Sequence, residues 1–340
     1  MTIKDLSALT GYAVGTVSRA LNNHPNVSDK ARKAILEAAR EYGYEMNVNA
    51  KQLKQTSSNT ILVVVKGTGN ELFGKMLEYI QPMIARTPYQ ILVDYLDEDS
   101  NEVIRAVQLC REKKPVGILF LGGAAQNFAA DFDKIDIPCV EVTNDASGLQ
   151  FSNLSSVTTD DREAARCAID TLVAHGHRKI AVIGGDRSTS DVSRLRYEGC
   201  LLSFRDHGIP FDPQRDYRSV RFSCEDGYKA TKSLLENHVD FTAIFAVSDV
   251  MTIGAIRALW EAGKRVPEDV SIIGLDGLAV GRYLVPQLST VQQDFKAIAL
   301  RSIRILLECM EEGSPARHET VPFLIQKRES IRSISETKEN

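Results

Sequence analysis

From residue 60 onward the chain alternates short apolar runs with amphipathic stretches, and that rhythm leaves few folds open. The runs are Ile61–Val65, Gln90–Val93, Gly117–Leu121, Cys139–Val142, Lys179–Ile183, Ala243–Val247 and Ser271–Ile273. Helical patterns lie between them, near 72–86, 100–113, 161–175, 192–207, 225–237, 249–262 and 294–311. A strand apolar on both sides must be covered on both faces, which predicts parallel sheets flanked by helices. So long a stretch suits two doubly wound lobes better than one core, with ligands expected at the strands' carboxyl ends.

The first 45 residues follow a different rule. Ile3, Leu6 and Leu9 fall at helical spacing before Gly11 breaks the pattern, and Val14 to Leu21 reads as a second short helix with Val17 and Leu21 inward. Asn22 to Asn26 is a loop. Ser28 then caps a third helix running through Ala39, with Ala31, Ile35 and Ala38 as its apolar stripe. Two short helices joined at Gly11, with small Ser7 four residues earlier, fit a helix-turn-helix. Residues 47–54 are too short for a stable isolated helix, and Gln55 to Asn59 reads as a linker.

Charge separates the same two regions. The 340 residues carry 41 Lys/Arg and 45 Asp/Glu, a net −4 that excludes a wholly basic coat protein. Residues 1–60 hold 8 basic and 5 acidic side chains, a net +3, so the remainder holds 33 and 40, a net −7. A basic head on an acidic body points to a polyanion met by the head alone. The polar set Thr16, Ser18, Arg19 and Asn22, on and just after the second helix, favours DNA. The six cysteines have no paired spacing and read as buried free thiols in a reducing compartment. No secretory signal or membrane span is expected, and the predicted location is cytoplasmic.

A more specific signal comes from Thr2-Ile3-Lys4-Asp5-Leu6, Gly11, Thr16-Val17-Ser18-Arg19-Ala20-Leu21-Asn22, Val27-Ser28, Gly43-Tyr44, Asn47, Ala50 and Leu53. This set closely resembles the lactose/galactose repressor (LacI-type) family, nearly without gaps over 54 residues. The likeness continues through His175-Gly176-His177-Arg178-Lys179-Ile180, Arg194 to Gly199, Ser248-Asp249-Val250-Met251 and Val266 to Asp276. It implies an α/β protein with an N-terminal all-α helix-turn-helix domain (1–46), a hinge helix and linker (47–59), and a two-lobed periplasmic-binding-protein-like effector and dimerisation domain (60–340). Lobe 1 would comprise about 60–159 and 292–319, and lobe 2 about 160–291 and 320–335.

The resemblance also implies roles. Arg19 should reach base edges, where a guanidinium suits guanine O6 and N7. Thr2, Thr16, Ser18 and Asn22 match positions that hold the DNA backbone. Asn47, Ala50 and Leu53 belong to the hinge, with Leu53 matching a leucine that wedges between base steps. Val14 and Gly15 stand where base-reading side chains are usual, and neither offers a hydrogen bond. We expect Val14 to read a thymine methyl, with DNA deformability adding selectivity. The family's Tyr-x-Pro-Asn is here Tyr44-Glu45-Met46-Asn47. Cleft residues carried over by motif are Phe73, Asp160, Arg196, Phe222, Ser248 and Asp276. The family often has Asn at the place of Ser248 and Asp or Asn at that of Gly277, and Asn70-Glu71-Leu72-Phe73 lacks the usual proline, so effector identity stays open.

Two motifs mislead. Gly69 to Lys75 nearly spells a nucleotide-phosphate loop, but Met76 replaces the Mg²⁺-binding hydroxyl and Glu71 would repel phosphate. Gly67 and Gly69 mimic a dinucleotide fingerprint, with the third glycine misplaced at Gly74. His175 and His177 lack companions for a metal site, and His177 is expected to bond within its turn. Trp260 reads as packing or dimer interface, and no leucine-heptad tail follows Phe323.

The expected function is therefore that of a non-enzymatic, sequence-specific transcriptional regulator, in the sense of a repressor. It is expected to be a homodimer on a pseudo-palindromic DNA operator, under allosteric control by a small carbohydrate-like effector, with no cofactor and no catalytic or metal site. The rivals are a nucleotide- or NAD-dependent enzyme and a cytoplasmic solute-binding protein with a non-functional head.

Overall fold

The computed structural model describes residues 2–21, 25–43, 59–67 and 70–334. The chain divides into two compact units, Met1–Ser58 and Asn59–Asn340. Asn22, Asn47, Ala50 and Leu53 lie outside the described residues.

The first unit holds α1 (Ile3–Thr10), α2 (Val14–Leu21) and α3 (Asp29–Glu41). Thr2 and Asp5 close a capping box at the start of α1, which satisfies two of the amide donors a helix start leaves unpaired. Gly11 ends the helix in the left-handed region at φ 69°, where a side chain would be strained. Ser7 does more than fit the turn, because its hydroxyl donates to the Tyr12 carbonyl at 2.6 Å. The core is Leu6, Val17, Ala20, Val27, Ala31, Ile35 and Ala39. Leu21 and Ala38, expected inward, pack against this core half-buried, and their neighbours Ala20 and Ala39 are the buried ones.

The second unit contains two six-stranded sheets. One has strand order β11-β5-β4-β3-β1-β2, with β1 Thr60–Lys66, β2 Gln90–Leu96, β3 Gly117–Leu121, β4 Cys139–Val142, β5 Leu154–Thr158 and β11 His318–Thr320, all parallel. The other has order β12-β10-β9-β8-β6-β7, with β6 Ile180–Gly184, β7 Tyr217–Ser219, β8 Ala243–Ala246, β9 Ser271–Asp276, β10 Ser289–Gln293 and β12 Phe323–Gln326. Only the β10–β12 pair in it is antiparallel. Along β1 the two faces serve different cores. Ile61, Val63 and Val65 meet α4 (Glu71–Ile84) and α11 (Phe295–Glu312), whereas Leu62 and Val64 meet α5 (Glu102–Lys113) and α6 (Ala125–Asp131). The continuous apolar run is what both faces require.

Around the second sheet, α7 (Asp161–Ala174) packs on α8 (Asp191–Asp206), and α9 (Cys224–Glu236) packs on α10 (Asp249–Glu261). The chain passes between the two sheets three times, at 159–160, at 294 and at 321–322. In each crossing only one or two residues separate the flanking elements, so the two lobes share a narrow hinge.

Three local expectations are corrected. His177 bonds within its turn only through its backbone, whose N–H donates to the Leu172 carbonyl at 3.2 Å; its ring instead reaches Thr242 Oγ1 at 2.9 Å and the Arg332 carbonyl at 3.2 Å, pinning the start of β6 to distant segments. Burial pushes its pKa down to about 4. Cys139 and Cys200 are buried, but Cys224 is exposed and Cys110, Cys167 and Cys309 are half-buried. For Trp260 only the core-packing alternative is corrected: the side chain is 65% exposed, with the Arg257 guanidinium 4.7 Å from its ring centre.

The α9–α10 contact depends on glycine. A Cβ on Gly254 would sit 1.9 Å from the Cys224 carbonyl oxygen, a backbone atom that cannot step aside. Gly254→Ala should cost about 1–3 kcal/mol in urea unfolding. Gly148→Ala, which meets nothing within 4 Å, should change stability by less than about 0.5 kcal/mol.

Candidate functional site

A cavity of about 610 Å³ lies between the two sheets of the second unit. Its wall is built where strands of both sheets end: Lys66 on β1, Asp97 after β2, Gly122 after β3, Thr143 after β4, Gly185 after β6, Ser219 on β7, Asp276 on β9 and Gln293 on β10. Parallel strands all deliver their carboxyl ends to one edge, so side chains remote in sequence converge there.

At the floor sits a buried charge network. Arg196 on α8 is 4% exposed, and its Nε donates to Asp161 Oδ1 at 2.7 Å. Its Nη1 donates to the Val247 carbonyl at 2.5 Å, and its Nη2 lies 3.7 Å from Asp276 Oδ1. Burial works against the guanidinium's charge, and Asp161 and Asp276 overcome that, so its pKa is raised. Asp276 also accepts from Ser248 Oγ at 2.6 Å and from Gln293 Nε2 at 2.8 Å. Its backbone, at φ 128°, lies in a region that favours glycine, as does that of Thr143 at φ 82°. Two strained residues on one cavity wall are the kind of local cost that persists where the surroundings hold a site in shape.

Asp249 supports this network from behind. Its Oδ2 accepts from the backbone amides of Gly277 and Leu278 at 2.8 and 2.7 Å, and its Oδ1 accepts from Thr290 Oγ1 at 2.7 Å. The loop after β9 is thereby tied to the start of α10. Two apolar rings complete the site. Phe73 lies under Gly122, where a Cβ would come within 2.9 Å of the ring, and Phe222 lies against Gly185, where a Cβ would come within 2.7 Å.

Of the six candidate cleft residues, the structure brings Phe73, Arg196, Phe222 and Asp276 together on the wall. Ser248 stands one step back; its hydroxyl is committed to Asp276 and does not cap α10. Asp160 is the correction. It caps α7, accepting from the Glu163 amide at 3.0 Å, and its exposed side chain is not part of the wall. The next residue, buried Asp161, holds Arg196 instead. Sequence reading also missed Lys66, Asn144, Asp97 to Asp99, Arg221 and Gln293. The signal available for most of them was position, just at or past a strand's carboxyl end.

In the first unit, α2 buries Val17 and Ala20 and turns Val14, Gly15 and Arg19 outward, with Thr16 and Ser18 half-buried. Val14 is 41% exposed, which is unusual for a core-type side chain on an eight-residue helix. Arg19 Nε donates to the Gly15 carbonyl at 3.1 Å. Thr2 sits at the start of α1 with its hydroxyl engaged by Asp5.

Residues 2–47 match the model of bacterial regulatory proteins of the lacI family, and residues 152–331 match the periplasmic binding protein-like domain. The HTH-type transcriptional regulator MalR of Clostridium butyricum is 31% identical over 98% of this chain and 100% of its own length. The chain belongs to the lacI family of bacterial regulatory proteins. The HTH-type transcriptional repressor CytR of Escherichia coli strain K12 is likewise 31% identical, over 91% of this chain and 90% of its own. The solved lac repressor dimer bound to operator and the anti-inducer ONPF superimposes with a TM-score of 0.77 at 25% identity, covering 98% and 99% of the two chains. This lacI-family chain is thus a DNA-binding transcriptional regulator with a helix-turn-helix head and a periplasmic-binding-protein-like body. Among its described residues no helix is long and apolar enough to cross a membrane, and no group of His, Cys, Asp and Glu could hold a metal ion.

Burial, and next the nearby Asp276, raise the Asp249 pKa to about 7. An unfolded Asp releases its proton near pH ~3.9. Between those values the folded chain binds the extra proton, so Asp249's contribution to stability is full below about pH 4 and lost as pH rises toward 7. Wild type should therefore lose about 2–4 kcal/mol relative to Asp249→Asn between pH 4 and pH 7.5 in urea unfolding. A gap independent of pH would contradict this assignment.

Proposed function

We propose that the protein is a homodimeric repressor that reads a pseudo-palindromic operator through α2 and is switched by a small polyhydroxy effector held in the cavity. The observation that carries this reading is the pairing, in one chain, of a short helix α2 that presents Arg19, Val14 and Gly15 outward with a cavity whose floor is a buried Arg–Asp network. Two-fold symmetry would present two copies of α2 to two half-sites one helical turn or a multiple apart. Arg19 is assigned to base edges, Thr2, Thr16, Ser18 and Asn22 to phosphates, and Val14 to a thymine methyl. Gly15, which meets nothing within 4 Å, leaves room for close approach of the helix to the groove. Asn47, Ala50 and Leu53 are assigned to the hinge. Residues 1–46, 47–59 and 60–340 serve as head, hinge and sensor.

Within the sensor, Arg196 and Asp276 are assigned to ligand hydroxyls or ring N–H groups, and Phe73 and Phe222 to the faces of a ring. Sugar recognition is supported by a relative's name, the ribose operon repressor of Halalkalibacterium halodurans, 28% identical over 92% of this chain and 91% of its own. We assign no catalysis to the chain. Lys75, which would meet phosphate in a nucleotide loop, pairs with Glu78 at 3.0 Å, and Met76 beside it is fully buried. A regulator of this kind works in the cytoplasm, where its operator is.

Selection from randomised duplexes followed by fluorescence anisotropy tests the DNA half. A preferred palindromic sequence should emerge, and Arg19→Ala should weaken it by about 10–100-fold. Val14→Ala should relax preference at one thymine. Binding indifferent to sequence at low salt would instead identify a solute-binding protein with a non-functional head.

A further inference from the structure

The cavity wall carries three cationic side chains and six carboxylates among its described residues. Every cation is already answered by the protein itself. Lys66 Nζ is 2.6 Å from Glu102, whose side chain is fully buried behind it and also accepts from the Ala124 amide at 2.7 Å and from Asn127 Nδ2 at 3.0 Å. Arg196 is held by Asp161 and Asp276 on the floor.

Arg221, in the loop after β7 of the second sheet, reaches across the cavity mouth to the loop after β2 of the first. There it meets Asp97 at 3.3 Å, Glu98 at 3.0 Å and Asp99. Two wall carboxylates remain without an ion pair among the described residues. Asp186 accepts from the Ser188 amide at 2.8 Å and its hydroxyl at 2.6 Å, and Asp226 accepts from Ser223 Oγ at 2.6 Å. The Ser188 bonds keep Asp186 below the usual carboxylate range, so it is ionised at neutral pH.

We infer that this cavity is a charge filter: it takes an uncharged or amine-bearing polyhydroxy ligand and rejects phosphorylated or carboxylated ones. An anionic group entering the cleft would face a net negative wall and would have to displace a protein carboxylate from each cation it met. In a confined space of low dielectric that exchange gains little and leaves a carboxylate unpaired. Hydroxyls face no such penalty, because Asp276, Asp186 and Asp226 are acceptors and Asn144 and Gln293 bring amides to the same wall. An ammonium is favoured near Asp97 to Asp99, where three carboxylates share one guanidinium.

This inference rests on the effector reading above. The test is a thermal-shift panel with calorimetric follow-up at constant ionic strength, using matched sets on the full chain. The sets are ribose with ribose 5-phosphate; glucose with glucosamine, glucuronate and glucose 6-phosphate; and adenosine with adenosine 5′-phosphate, with inorganic phosphate alone as a further probe. In any set that binds, the neutral or amino member should bind at least about tenfold tighter than its anionic partner. Inorganic phosphate should stabilise no more than sodium chloride. An anionic member that binds tighter than its parent overturns the filter while leaving the effector reading intact. Silence across every set overturns both.

The triple variant Asp97→Asn, Glu98→Gln, Asp99→Asn releases Arg221 without touching the buried floor. It should narrow the neutral-over-anionic preference by about fivefold, the worth of one half-exposed ion pair. An unchanged preference would remove this loop from the filter.

Discussion

A guanidinium buried at the floor of a cleft is costly unless its charge is met, and the sensor is arranged around meeting the charge of Arg196. Asp161 comes from the start of α7, just past the first hinge crossing, and Asp276 from the end of β9. Val247 offers its carbonyl from the end of β8, while Ser248 and Gln293 fix Asp276. One side chain thus joins the carboxyl ends of β8 and β9 to the start of α7. It also stands next to the crossings at 159–160 and 294. A ligand that competes for Asp276 or Arg196 therefore acts on residues that touch the hinge, the only route by which the lobes are covalently joined. Such a site can transmit binding into lobe orientation without a long chain of contacts.

The same economy governs the cavity's upper half. Arg221 and the Asp97 to Asp99 loop come from different sheets, so their ion pairs exist only while the lobes stand at this separation. These pairs are half-exposed and individually weak. Their place at the mouth gives them leverage on charge selection that their energy alone would not.

Much of this architecture is legible in the sequence where local physics is strong. Fully apolar runs such as Ile61–Val65 can only be central strands, and Gly11 between two short apolar-striped helices can only be a turn. The strands that went unread are Leu154–Thr158, Tyr217–Ser219, Ser289–Gln293, His318–Thr320 and Phe323–Gln326. They are short or rich in Ser, Thr and Gln, and β7, β11 and β12 lie at sheet edges where burial does not demand an apolar side chain on both faces. The site was legible to the extent that motif spacing located it. Phe73, Arg196, Phe222 and Asp276 line one cavity, yet Asp160 and Asp161 are adjacent acids that no pattern distinguishes. Only the turn into α7 decides that the first caps the helix and the second binds Arg196. The charge pairing of Lys66 with Glu102, 36 residues away, is likewise invisible until β1 and α5 are placed side by side.

If the cavity governs the head through Arg196, the geometry of its planar fork should matter more than its charge. The most direct measurement is operator affinity with and without a saturating effector, compared between wild type and Arg196→Lys. Wild type should change its operator affinity about 5–150-fold on effector binding, the span of ordinary allosteric coupling. Arg196→Lys should bind the same operator without effector as wild type does and lose most of that response. An undiminished response in Arg196→Lys would contradict the account.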